Sequence, residues 1–132
     1  MSQENVEIVR RWIEAFNRGW LEEAIRFLDP EIEWTTTSAY LEAGTYQGHE
    51  GVRHFVRKAA AAWEDLRIEP EKLIGAADQV VVPLRIKVRG KQSRSPSVFK
   101  LAVLASLQGG MIVRIRNYTN KAGALEAAEL RE

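Results

Sequence analysis

The sequence predicts an α+β domain in which helices of the first half pack on one face of a curved, mostly antiparallel sheet. Three observations predict it. Apolar residues recur at helical spacing near the start of the chain and again over residues 49–63. From Leu66 to Thr119 apolar and polar residues alternate instead, interrupted by short turn segments. The chain has 132 residues, 45% of them apolar and 28% charged, which is one domain with a buried core.

In chain order, Val6, Ile8, Val9, Trp12, Ile13 and Phe16 mark a four-turn amphipathic helix, with Ser2 as its cap and Gly19 as its stop. A second helix is expected from Leu21 to Leu28, ended by Asp29-Pro30, and a first strand from Glu31 to Thr35. Residues 36–48 have turn chemistry and no period, so they read as a loop. His49 to Trp63 forms the third helix, with Val52, Phe55, Val56, Ala59 and Trp63 on one face. Four strands follow at Leu66–Gly75, Gln79–Arg89, Ser97–Leu107 and Met111–Thr119, and their short connections make the later ones antiparallel neighbours. Lys121–Leu130 closes the chain as a helix capped by Asn120.

Composition removes several function classes. The absence of cysteine excludes thiolate metal sites, disulfides and thiol nucleophiles. Two histidines without a carboxylate at ligand spacing argue against a metal site, and no cofactor is implied. No stretch approaches the ~20 apolar residues of a membrane span. Glu4, Glu7, Arg10, Arg11 and Glu14 break up any signal-peptide core, so a soluble cytoplasmic protein with no membrane partner is expected. The net charge is +1, yet no acid lies between Asp78 and Glu126, where Arg85, Lys87, Arg89, Lys91, Arg94, Lys100, Arg114, Arg116 and Lys121 fall. This block reads as a basic sheet balanced by acidic helices. Nucleic acid is not expected as a partner, because no aromatics interleave with the bases.

Four segments resemble one family over nearly the whole chain: SQENVEIVRRWIEAFNRG, LDPEIEW, GTYQGHEGVRHF and IVRIRNYTNKAGALEAAEL. Their order and spacing are similar to those of SnoaL-like (polyketide cyclase-like) members of the nuclear-transport-factor-2-like superfamily. The resemblance implies a single domain over residues 1–132, cone-shaped, with the sheet wrapped around the N-terminal helices and a pocket at the wide end. It also implies a homodimer through the outer sheet face, for which Leu84, Ile86, Val88, Ala102 and Leu104 supply apolar positions. Members similar to ketosteroid isomerase use a Tyr and two Asp residues, whose positions fall here at Trp12, about Val103 and about Thr35. Members similar to limonene epoxide hydrolase use an Asp-Arg-Asp set, which falls at Lys87, Arg85 and Asn117. Only the Arg is kept, so the inherited acid–base machinery is missing. The missing carboxylates fit a natural member of divergent function or a scaffold with a redesigned pocket.

Strand alternation places Leu101, Val103, Ala105, Ile115, Asn117 and Thr119 toward the pocket. For Gln79–Arg89 alternation leaves both faces open, and the resemblance turns Arg85 and Lys87 inward. The expected substrate-binding wall is then Trp12, Phe16, Trp34, Thr35, Tyr46, Phe55, Trp63, Arg85, Leu101, Val103, Ala105, Ile115 and Thr119. Lys87 and Asn117 are the candidate catalytic pair. A desolvated Lys87 beside Arg85 would be a neutral amine able to form a Schiff base with a carbonyl substrate, a retro-aldolase or lyase chemistry. The alternatives are a Lys87 that snorkels to the mouth, and a protein that binds a hydrophobic or anionic small ligand without turnover. Glu33 is the fallback base. His54 reads as a surface residue, His49 as a structural residue at the helix start, and Trp20 as an exposed aromatic.

Overall fold

A computed structural model describes residues 2–36 and 43–129. The elements are α1 (Ser2–Asn17), α2 (Leu21–Ile25), β1 (Leu28–Thr36), β2 (Gly44–Gln47), α3 (Gly48–Ala62), β3 (Trp63–Pro70), β4 (Ile74–Ala76), β5 (Gln79–Gly90), β6 (Pro96–Gln108), β7 (Met111–Tyr118) and α4 (Lys121–Ala127). One sheet runs β2-β1-β7-β6-β5-β3, with β4 also paired to β5. Among these pairings only β1 with β7 is parallel. Register shifts in the β1–β7, β3–β5 and β6–β7 pairs bend the strands, and the sheet curls around α1 and α3 without closing. Val9, Trp12 and Ile13 of α1 and Val52 and Phe55 of α3 share one buried cluster with the inner residues of β5, β6 and β7. This is the cone-shaped α+β architecture expected above. No helix among the described residues is long and apolar enough to cross a membrane.

Several boundaries differ from the sequence expectation. Ser2 is the first residue of α1 rather than a residue before it, and α2 stops at Ile25. Asp29 and Pro30 lie inside β1. The register between β1 and β7 slips from Leu28 to Glu33, so the proline occupies a stretch where no ladder N–H is required. Asp29 Oδ1 accepts from the Glu31 N–H at 2.8 Å, which holds that irregular turn. Within the expected loop 36–48, Thr36 extends β1 and Gly44–Gln47 forms β2, while residues 37–42 fall outside the described residues. Trp63 opens β3 instead of ending α3.

The expected strand Leu66–Gly75 is two strands, and Pro83 explains the division. Pro83 accepts a hydrogen bond from the Glu71 N–H at 2.8 Å, so its carbonyl points toward the β3–β4 side. Its nitrogen points the same way and carries no hydrogen, so the ladder cannot run on unbroken from Pro70↔Leu84 to Ile74↔Val81. Asn120 caps α4 as expected, accepting from the Gly123 N–H at 2.8 Å.

Two contacts fix the helices over the sheet. Asn17, at the end of α1, donates to the Ile68 carbonyl and accepts from the Ile68 N–H, both at 2.7 Å. Its amide thus replaces a neighbouring peptide along the edge strand β3. His49 Nε2 donates to the Leu28 carbonyl at 2.8 Å, tying the start of α3 to β1, the structural role expected of it. On the surface, Arg53 of α3 forks onto Glu22 of α2 at 2.9 and 2.7 Å and also pairs with Glu50. The Arg53 hydrogen bond holds the Glu22 carboxyl below its ordinary value. The sign follows: a depressed carboxylate contributes its stabilisation above the unfolded pKa and loses it as pH falls through the folded one. The protection factors of the α2 amides, taken against their intrinsic exchange rates at each pH, are therefore expected to fall modestly on acidification through the carboxylate range. That fall should be absent in Glu22→Gln, whose protection should already be slightly lower near neutrality.

The far side of the sheet is covered in part by the chain itself. Val81, Ala102 and Leu104 pack under Ala124, Leu125 and Ala128 of the last helical segment. Leu84, Ile86 and Val88 belong to the inner cluster. The five apolar positions expected to form a dimer face are thus all buried within one chain.

Candidate ligand-binding chamber

Inside the cone lies a cavity of about 50 Å³. Trp12, Ile13 and Phe16 of α1 enter it from one side, and Phe55, Val56 and Ala59 of α3 from another. Their spacing of three and four residues puts each set on one helical face. The floor is Trp34 of β1 with Val82, Leu84, Ile86, Leu101, Val103 and Asn117 of the central strands, and Leu66 and Ile68 of β3 close the edge. The aromatic packing is edge-on. Trp34 meets Trp12 at 5.6 Å between ring centres and Phe55 at 5.0 Å.

Among the described residues, one polar side chain stands in this wall besides the indoles. Asn117 is 4% exposed, and its Oδ1 accepts from Trp34 Nε1 at 3.1 Å. It projects inward because β7 alternates, with Ile115 inside and Arg114 and Arg116 outside. Among the described residues, none that lines the cavity carries an acid, an amine or an imidazole.

A wider cavity of about 260 Å³ adjoins it. Gly19, Leu21, Ala60 and Trp63 line only this outer space, and Phe16, Val56, Ala59 and Leu66 line both. Trp63 packs edge-on against Phe99 at 5.6 Å.

The expected site residues divide accordingly. Trp12, Phe16, Trp34, Phe55, Leu101, Val103 and Asn117 meet at the inner cavity, and Trp63 stands in the outer one. Ala105 and Ile115 are inward but wholly buried in the core, outside both linings. Thr35 faces the other side of β1, where its hydroxyl pairs with that of Thr45 at 3.1 Å. Tyr46 stacks on the far side of Phe55 at 4.7 Å, and Thr119 is exposed beyond the end of β7.

Arg85 and Lys87 are not in the chamber, and this corrects the inward orientation expected of them. Val82, Leu84 and Ile86 point in; Arg85 and Lys87 point out. Lys87 Nζ lies 3.2 Å from Glu69, and Arg85 lies 3.8 Å from Glu71. Carrying two cations into an apolar cavity would cost several kcal/mol per ion. On the outer face each finds an acid from the neighbouring segment. The same outer pairing holds Arg89 to Asp65, Arg94 to Glu64 and Arg114 to Glu33. The basic block is therefore matched largely by acids on β1, on β3 and just beyond it. Glu33, the fallback base, is on the outside as part of that pairing. His54 is exposed, and Trp20 is 50% exposed beneath the Arg18 guanidinium, 5.2 Å from its ring centre.

Sequence reasoning missed Ile13, Val56, Ala59, Leu66, Ile68, Val82, Leu84 and Ile86 as lining residues. The signal for the β5 set was present: Val82, Leu84, Ile86 and Val88 are the apolar phase of an amphipathic strand.

Comparison with known proteins agrees with this architecture. An uncharacterized protein of Mycobacterium tuberculosis (strain H37Rv) is 27% identical over 127 residues, covering 93% of this chain and 94% of that protein. The crystal structure of a nuclear-transport-factor-2-like protein of unknown function from Burkholderia pseudomallei superposes with a TM-score of 0.81 at 25% identity, over 96% of this chain and 97% of that one. TerC, co-crystallized with polyporic acid, superposes with a TM-score of 0.80 at 20% identity, over 96% and 98% of the two chains. The model of the SnoaL-like domain matches residues 9–115, and the chain belongs to that family.

Proposed function

We propose that the protein binds an uncharged, apolar small molecule inside the cone, oriented by the Asn117 amide. The observation that carries this reading is the lining itself: among the described residues, aromatic and aliphatic walls with one polar, uncharged side chain besides the indoles. A carboxylate or phosphate on the ligand would meet no counter-charge among the described lining residues, and its desolvation would go without compensation from them. The co-crystal of TerC with polyporic acid supports small-molecule binding on this fold. Lys87 has no part in the reading, because its ammonium sits outside against Glu69. The Schiff-base lyase chemistry considered above would need that amine inside.

A matched pair of probes tests the charge requirement. N-phenyl-1-naphthylamine is neutral, and 8-anilinonaphthalene-1-sulfonate carries nearly the same rings with an added sulfonate. The neutral probe is expected to bind saturably at one per chain, and the sulfonate at least about tenfold more weakly, the equivalent of roughly 1.4 kcal/mol. Equal or tighter sulfonate binding would sink the proposal by showing that a cation reads the ligand. Lys87→Met is expected to leave the neutral probe's Kd unchanged within about twofold, since a half-exposed ion pair contributes little. A loss of binding in that variant would return the lysine to the site.

A further inference from the structure

The two cavities point to a particular shape of ligand. The inner cavity of about 50 Å³ is far smaller than the roughly 150 Å³ that accepts a benzene ring. The outer one, at about 260 Å³, is large enough for rings. Phe16, Val56, Ala59 and Leu66 line both, so these four side chains form a neck between them. Past the neck the inner wall is apolar as far as Asn117, the one side-chain amide among the described lining residues.

Building on the neutral-ligand reading, we propose that the ligand is bipartite. An uncharged ring system rests in the outer vestibule between Leu21, Ala60 and Trp63. A slender apolar arm passes the neck and carries one hydroxyl or carbonyl group to the Asn117 amide. The neck then sets specificity. Ala59 provides the room, because a larger side chain there would fill the passage, while Phe16 and Leu66 exclude a ring. Arm length is measured by the distance from vestibule to Asn117, and the breadth of the ring system is judged in the vestibule alone.

The probes are ω-phenylalkanols of increasing arm length, 2-phenylethanol to 6-phenylhexan-1-ol, titrated while the indole resonances of Trp12, Trp34 and Trp63 are followed by NMR. Affinity is expected to rise about fourfold per methylene, the value of one buried CH₂, until the hydroxyl reaches Asn117, and to fall with further length. For the best member, Ala60→Leu in the vestibule and Val103→Ile in the inner chamber should each weaken binding roughly tenfold. Val82→Ile serves as the inner variant if Val103→Ile unfolds. Ala59→Leu at the neck should erase the length dependence while 2-phenylethanol still shifts Trp63. Affinity independent of arm length, or sensitivity to one chamber only, would overturn the bipartite ligand and leave the neutral-ligand reading standing. If no phenylalkanol and neither naphthylamine probe binds, both readings fall together.

Discussion

Replacing Trp34 by alanine is expected to cost about 3–5 kcal/mol of folding stability, the range for truncating a buried large aromatic. Trp34 is 6% exposed and joins the two helices to the sheet, edge-on to Trp12 and to Phe55, with its indole N–H on Asn117. Alanine would remove both aromatic contacts and the donor that Asn117 Oδ1 accepts from. The surrounding rings come from two separate helices, held by Asn17 and His49, so collapse into the space should be limited. Trp34→Phe divides the effect: most ring contact survives, and the loss of the N–H donor alone should cost about 1–2 kcal/mol. Urea unfolding at constant m-value reads both. The variant also makes a positive prediction. The enlarged chamber should bind benzene and recover part of the lost stability as ligand concentration rises above Kd. A Trp34→Ala cost below about 1 kcal/mol, with no benzene rescue, would mean that the aromatic floor does not hold the cone together.

Much of this architecture was legible in the residues, and the exceptions have physical causes. The faces of α1 and α3 follow from periodicity because each packs its apolar stripe on the sheet, whereas on β6 both phases are buried, Leu101, Val103 and Ala105 inside and Ala102 and Leu104 beneath the last helical segment. β5 was misread for a different reason. Its two phases are both hydrophobic at one end, and the choice between them was taken from resemblance, which placed Arg85 and Lys87 inside. The amphipathic pattern of Leu84, Ile86 and Val88 pointed the right way, and the acids Asp65, Glu69 and Glu71 already offered partners for an outward basic phase. A family position carries a side chain's environment only when the chemistry there is retained. At the two positions where the resemblance implies carboxylates stand Lys87 and Asn117, and the two take opposite fates, the amide inside and the ammonium outside. The division of the expected strand at residues 66–75 was hidden because its cause, Pro83, lies on a different strand. No local pattern records which strand a proline will face.

The second large effect concerns the amide itself. Asn117→Asp is nearly isosteric, so the pH-dependent part of any change it causes comes from charge, the loss of the amide N–H donors being common to every pH. A protonated carboxyl can still accept from Trp34 Nε1–H, whereas the ionised form would sit in a lining that holds no cation among the described residues. Desolvation raises its folded pKa above the roughly 3.9 of an unfolded aspartate, while the indole hydrogen bond opposes that rise. Burial should prevail, because a neutral indole donor does not replace the water that a carboxylate loses. For a carboxyl with a raised folded pKa, the penalty is absent below the unfolded pKa, where both states are protonated. It grows as pH rises through about 4 and levels off above the folded pKa, at roughly 1.4 kcal/mol per unit of separation. A separation of about two to three units would give a loss of about 3–4 kcal/mol at neutral pH. The measurement is the difference in unfolding free energy between parent and variant from pH 3 to pH 8, which cancels the titration of every shared group. Parallel curves would show that water reaches Asn117 freely, and the argument for an uncharged ligand would lose its basis. A gap opening across this window would establish that the cone interior penalises a negative charge at the point where the ligand's polar end is expected to rest. The same carboxylate should then repel the neutral probe's hydroxyl relatives less than it repels the sulfonate, so stability and ligand selectivity would report one property of the chamber.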